Sequence, residues 1–401
     1  MRICMVVRAL PVHRLGGLEF HTQDLCEALA ARGHEVVIVT SRRADGKVHE
    51  RTASGVEIHY LSAGSPGNYS RAFFRGVEEM VARLDAERRF EVVHAQEFAG
   101  LFMAPQPGRN VTTVHGTLFT EVPLDRRYFA HLGALEKLRA IWKYKSRIAL
   151  YPAFRRMLRR ADLLICDSRF TQSELRRYGA AVARKVKVVP LGVNQERYRA
   201  NPDNVVGTAR RAVRLASSRD FTILVLGRVQ FIKGIMHALD AATILHERGV
   251  QFRMIFGGRG SWEAALRSEI SVRGLGECVS YVDAVPPEQT VDFFARGDVL
   301  LFPDLTQPAF GLVAVEAMLH GLPVVGARSG AIPEVVTEQS GWLYDPWNQA
   351  ELGALLQRLA SAPEEVRTKA AVTGEAAKSY SADRMASDVE NAYQSVRSGA
   401  R

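Results

Sequence analysis

This sequence predicts an α/β protein built from two doubly wound, Rossmann-like domains, and three observations carry the prediction. Short apolar runs alternate with longer helical patterns along most of the chain, the rhythm of parallel strands buried on both faces. The rhythm breaks once, over the polar and basic stretch from Asn194 to Asp220, and then restarts. Each half opens in the same way, with a strand, a glycine-bearing loop and a helix, and a chain of 401 residues has room for two such domains.

The elements follow in order. Ile3–Val7 reads as a buried strand, Leu18–Ala31 as a helix stopped by Gly33, and Glu35–Thr40 as the return strand. Further strands are expected at Val92–Ala95, Val111–His115, Leu163–Asp167 and Val186–Pro190, with helices at Arg71–Glu87, Leu132–Arg160 and Thr171–Tyr178. After the break come strands at Phe221–Leu226, Phe252–Gly257, Val279–Val282, Val299–Phe302, Pro323–Gly326 and Gly341–Tyr344. The expected division is a first domain over 1–193, a linker with one short helix over 194–218, a second domain over 219–374, and a helical tail over 375–401 that packs back toward the first domain. Two such halves are expected to face each other across a cleft, with ligands held at the carboxyl ends of the strands.

Composition narrows the function. Apolar residues at 47% and charged residues at 24% describe a globular chain rather than a disordered or fibrous one. No apolar run approaches the roughly 20 residues of a membrane span, and Met1–Arg8 lacks the pattern of a secretory signal, so a cytoplasmic location is expected. Cys4, Cys26, Cys166 and Cys278 are too dispersed for a zinc site or a disulfide framework. Frequent Ala and Arg hint at a GC-rich bacterial source. A net charge of +10 suits nucleic acid, anionic lipid or a phosphorylated small molecule. No nucleic-acid module is recognisable, and nucleic acid is not an expected partner.

Four motifs can carry chemistry. Gly16-Gly17 follows the first strand at a helix start, where backbone can approach a ligand and N–H groups can meet a phosphate, although a plain tight turn has the same letters. Arg228 and Lys233 flank the turn Gly227–Gly234 after Phe221–Leu226, and their two cations can neutralise a diphosphate or simply face water. Beyond Phe302 a helix is expected to start at Gly311, with unsatisfied N–H groups at Leu312 and Val313. Glu316 lies one turn in, an acid on a core-facing helix that suits a ribose diol or an ion pair. His115 ends a strand just before Gly116 and is expected to project toward the ligand. The stretch Lys137–Arg160, with Trp142, Lys145, Arg147 and Tyr151, reads either as a surface for anionic lipid or as a helix with its aromatics packed inward.

In combination these motifs resemble the family-4 retaining glycosyltransferases of the GT-B fold. Gly-Gly after strand one, His115-Gly116, Gly227-Arg228-x4-Lys233-Gly234 and Phe310-Gly311-Leu312-x3-Glu316-Ala317-Met318 stand in that family's order over nearly the whole chain. The resemblance implies transfer of a sugar from a nucleoside diphosphate to an acceptor hydroxyl or amine, with retention of configuration. It places Gly16 and Gly17 near the donor, Arg228 and Lys233 on the diphosphate, Glu316 on the ribose, the amides after Gly311 on the distal phosphate, and His115 at the sugar. Backbone near Tyr281–Val285 would meet the base. The absence of Asp-x-Asp implies no metal, and no cofactor is expected beyond the donor itself. One departure stands out: the family's Glu-x7-Glu places Pro308 where the first acid belongs, with Gln307 and Asp304 as possible substitutes. That leaves open a nucleotide-sugar epimerase of the same architecture or a catalytically weakened binding member.

Overall fold

The computed structural model describes residues 1–399 apart from 15, 105–106, 119, 121–128, 130–132 and 196–219. The expected linker helix falls outside the described residues. The apolar run after Met1 forms β1 (Arg2–Val6), buried from Ile3 onward, and it lies inside an eight-stranded sheet. The other strands are β2 (Glu35–Thr40), β3 (His49–Arg51), β4 (Glu57–Tyr60), β5 (Val92–Gln96), β6 (Asn110–Val114), β7 (Leu163–Cys166) and β8 (Val186–Val188), in the order β3-β4-β2-β1-β5-β6-β7-β8. Every pairing is parallel except β3 with β4. The helices are α1 (Gly17–Ala31), α2 (Arg71–Arg88), α3 (Ala134–Arg160), α4 (Arg169–Arg176) and α5 (Ala180–Ala183).

Several elements differ from the sequence reading, each for a physical reason. β3 and β4 were not expected, because His-Glu-Arg and Glu-Ile-His-Tyr contain no apolar run; they form an edge hairpin held by charged side chains. α4 starts two residues early because Ser168 Oγ accepts the Thr171 N–H at 3.1 Å, an N-cap the apolar pattern does not show. β6 ends at Val114, so His115 is the first residue past the strand. β8 stops at Val188, short of Pro190, which has no N–H to offer a ladder.

The second unit repeats the pattern with β9 (Phe221–Leu226), β10 (Phe252–Gly257), β11 (Val279–Val282), β12 (Val299–Phe302), β13 (Val324–Ala327) and β14 (Gly341–Tyr344), all parallel, in the order β11-β10-β9-β12-β13-β14. Its helices are α6 (Ile235–Glu247), α7 (Glu263–Val272), α8 (Thr290–Phe294), α9 (Leu312–Leu319), α10 (Ile332–Val335), α11 (Gln349–Ser361) and α12 (Pro363–Ala377). In each sheet the chain winds outward from its first strand and then returns to build the other side. The reversal falls between β1 and β5 in one sheet and between β9 and β12 in the other, and doubly wound sheets bind ligands at the carboxyl ends of such strands.

The last helix, α13 (Ala382–Gly399), belongs to the first unit. The crossing falls at Tyr380, whose carbonyl accepts the Val193 N–H at 3.0 Å; Glu375, where the sequence reading started the tail, is still inside α12. Met385, Val389 and Tyr393 join Ile3, Leu25 and Leu29 in one apolar core. The Tyr393 hydroxyl also lies 2.7 Å from Nδ1 of buried His94. Tyr393→Phe should therefore lower stability by about 1–3 kcal/mol, the usual cost of orphaning a buried polar group, read by urea unfolding. Burial, with a smaller push from His115, lowers the His94 pKa from 6.5 to about 3. The unfolded chain takes up that proton first, so this group's contribution to stability falls as pH drops from 6.5 toward 3.

Candidate functional site

In the second unit, the loops after β9 and β12 meet at the point where the winding reverses. The first runs Gly227–Gly234 and is rigidly seated. Val229 and Phe231 are buried, the Phe231 ring lies 5.1 Å from Trp262, and the Val229 N–H donates to Arg259 O at 3.0 Å. Gly234 has φ +70°, and a Cβ there would strike the Pro303 carbonyl, so only glycine lets the two loops touch. The Leu305 N–H donates to Ile232 O at 3.0 Å and ties them again.

The two basic residues of this loop are placed differently. Arg228 is exposed and pairs with no carboxylate among the described residues. Lys233 is half-buried, with Nζ 2.6 Å from Asp304 Oδ2. Asp304 is only 3% exposed, and its Oδ1 accepts the Thr306 N–H at 2.9 Å and the Thr306 hydroxyl at 2.6 Å. Ser329 Oγ donates to Thr306 O, and the Ala331 N–H donates to Pro308 O at 2.8 Å, which fixes the loop against the chain after β13. One oxygen of Asp304 is thus engaged by its own loop and the other by Lys233 of the neighbouring loop, whereas Gln307 is exposed.

α9 starts at Leu312 with Gly311 before it at φ +114°, and a Cβ on Gly311 would meet Ile332. The first residues of a helix have no intrahelical acceptor for their N–H groups, so the Leu312 and Val313 amides are those the sequence reading singled out. Glu316 is half-buried rather than in the core; its neighbours Ala314, Val315, Ala317 and Met318 take the buried face. Tyr281 ends up at the sheet edge, its hydroxyl donating to Gly258 O at 2.7 Å and Arg267 lying over its ring.

In the first unit, Gly16 precedes α1 in extended backbone, and a Cβ on it would collide with the Glu19 carboxylate. Glu19 is buried between Arg8 at 3.4 Å and Arg14 at 3.8 Å, so this helix start carries an acid of its own. His115 is almost buried, with Nδ1 2.8 Å from Asp167 Oδ2 and Nε2 3.0 Å from Gln96 Oε1. A carboxylate on one ring nitrogen and an amide on the other fix the orientation of the imidazole. Burial pushes the His115 pKa down, but the charge and hydrogen bond of Asp167, with smaller contributions from Glu97 and Glu19, outweigh it and the net shift is upward. His21 on α1 packs edge-on at 5.1 Å, buried, with neither ring nitrogen hydrogen-bonded among the described residues.

Glu19, His21, Gln96 and Asp167 were not singled out from the sequence. Asp167 had one visible signal: like His115, it closes a predicted strand. Among the described residues, His49, Glu57 and His59 come close enough to share a metal, at the β3–β4 edge. Arg88 Nη2 already lies 2.6 Å from the shared Glu57 oxygen, so the cluster is held together as an ion-pair network. α3 exposes Leu138, Ile141, Ile148 and Trp142, the last at 73%, and buries Phe154, Met157 and Leu158 only near its end. No helix among the described residues is long and apolar enough to cross a membrane.

Comparison with known proteins decides the family. Residues 15–197 match Glycosyltransferase Family 4, and residues 208–386 match Glycosyl transferases group 1. The chain belongs to the group 1 glycosyltransferases. The amylovoran biosynthesis glycosyltransferase AmsK of Erwinia amylovora is 30% identical over 217 residues, covering 53% of this chain and 50% of that one. This group 1 chain thus matches about half the length of AmsK. The D-inositol 3-phosphate glycosyltransferase of Streptomyces griseus is 28% identical over 439 residues, covering 100% of this chain and 90% of its own. The crystal structure of Anabaena Alr3699/HepE in complex with UDP-glucose superposes with a TM-score of 0.69 at 20% identity, over 98% of this chain and 100% of that one. The glycosyltransferase fold expected from the sequence, GT-B, is thereby established.

Proposed function

We propose that this chain is a retaining glycosyltransferase that moves a sugar from a nucleoside diphosphate to an acceptor hydroxyl or amine without a metal ion. The observation that carries the reading is the paired loops after β9 and β12, which set Arg228, Lys233 and the start of α9 at the reversal point of one sheet. Cations and helix amides there stabilise the charge that develops on a departing diphosphate. Glu316 takes the ribose, the amides of Gly311, Leu312 and Val313 the distal phosphate, and His115 with Gly16 and Gly17 the donor sugar. The departing phosphate assists removal of the acceptor's proton on the same face. The UDP-glucose complex of HepE, a protein of similar fold, supports a nucleotide-sugar donor.

The test is a thermal-shift panel of UDP, GDP, ADP and dTDP, since a ligand that binds only the folded state raises the melting temperature. At 100 times its dissociation constant, the true base should add about 2.7 kcal/mol of stability. No shift with any of the four overturns the reading. Turnover should survive EDTA, and a complete loss restored by manganese would remove metal independence.

The acceptor reading extends to a membrane surface. The exposed apolar residues of α3, flanked by Arg139, Lys145, Arg155 and Arg156, suit the headgroup region of an anionic bilayer. The chain should co-sediment with phosphatidylglycerol vesicles at low salt, and Trp142→Ala should weaken that binding. Equal sedimentation with and without vesicles would dismiss the membrane contact.

A further inference from the structure

We propose that Asp304 is a positioning residue that acts through Lys233, holding the ammonium in place for the diphosphate. The inference rests on the donor reading above and goes beyond it, because Asp304 stands outside every donor contact assigned there. Its carboxylate is buried beneath the half-exposed Lys233, with Oδ2 2.6 Å from Nζ and Oδ1 closed by the Thr306 N–H and hydroxyl. Three donors, one of them an ammonium, surround the buried Asp304 carboxylate. A lysine side chain loses rotamer freedom on fixing, and a contact already made to Asp304 meets that cost before the ligand arrives. An ammonium has three N–H donors; with one on Asp304, two remain for phosphate oxygens. The same geometry makes Asp304 a poor substitute for the family's missing first acid, since its carboxylate is buried and already accepts from Lys233 and Thr306.

The test is a double-mutant cycle on the full chain. Calorimetric affinity for the best of UDP, GDP, ADP and dTDP is measured in wild type, Asp304→Asn, Lys233→Met and the double variant. Asp304→Asn should weaken binding about tenfold when Lys233 is present, the scale of one charged hydrogen bond, and should change it little in the Lys233→Met background. A purely structural role would give the same loss in both backgrounds. Equal losses, unchanged affinity or tighter binding in Asp304→Asn would each overturn the inference. If Asp304→Asn does not fold, Thr306→Val keeps the charge, loosens its anchor and must show the same dependence on Lys233. Wild-type affinity in Lys233→Met would sink the inference while leaving the other donor contacts standing. A wild-type chain that binds none of the four nucleotides would sink both.

Discussion

Alanine at Lys233 is expected to lower turnover by roughly 10²–10³, the size of effect seen when one group stabilising a developing anion is removed. Arg228→Ala should cost turnover on the same scale, but the two variants should part in stability. Arg228 is exposed and meets no carboxylate among the described residues, so its loss should leave the melting temperature nearly unchanged. Lys233 is the counter-charge of buried Asp304. Breaking one side of such a pair typically costs about 3–5 kcal/mol, and the quarter exposure of Lys233 puts the expected loss at or below the low end. Steady-state kinetics and differential scanning calorimetry on both variants check this. Near wild-type turnover in both would remove the diphosphate assignment. Equal melting temperatures would remove the account of the Lys233–Asp304 pair.

Asp167→Asn is the second substitution with a large expected effect. Asp167 raises the His115 pKa against the opposing effect of burial. With a neutral amide in its place only the more distant charges of Glu97 and Glu19 still oppose desolvation, and the ring should titrate lower than in wild type. Turnover should fall roughly 10²-fold if the donor sugar depends on the charge or orientation of that ring. An NMR titration of His115 in both proteins is the direct check; a ring that titrates alike in the two would show that Asp167 does not set its charge. The stability sign follows from the raised folded pKa. The His115 contribution is fully present below the unfolded value of 6.5 and is lost as pH climbs through the folded value. The melting-temperature gap between wild type and Asp167→Asn should therefore narrow as pH rises from just below 6.5.

Much of the architecture was legible because buried parallel strands are apolar runs bounded by polar or glycine-bearing turns. β2, β9, β10, β11, β12 and β14 begin and end at the residues the pattern indicates. β3 and β4 were hidden because an edge hairpin of charged residues has no such run. The candidate site was legible as single loops but not as pairings. His115 and Asp167 are 52 positions apart and meet only because β6 and β7 pair with Val114 opposite Cys166. Lys233 and Asp304 are 71 positions apart and meet because β9 neighbours β12. Strand order is the information that a list of motifs lacks. Glu316 was read as a core acid from its apolar neighbours, and helix rotation places it half-buried instead.

The return of α13 to the first unit bears on how the protein matures during synthesis. Tyr393, Val389 and Met385 complete a core whose other members, such as Ile3 and Leu25, are translated first. That core stays open to solvent and to chaperones until the ribosome has read past Tyr393. The sheet of β9–β14 comes from a single run of chain and can close while translation is still under way. A nonsense mutation shortly before Met385 would therefore harm the half made earliest, not the half beside the cut.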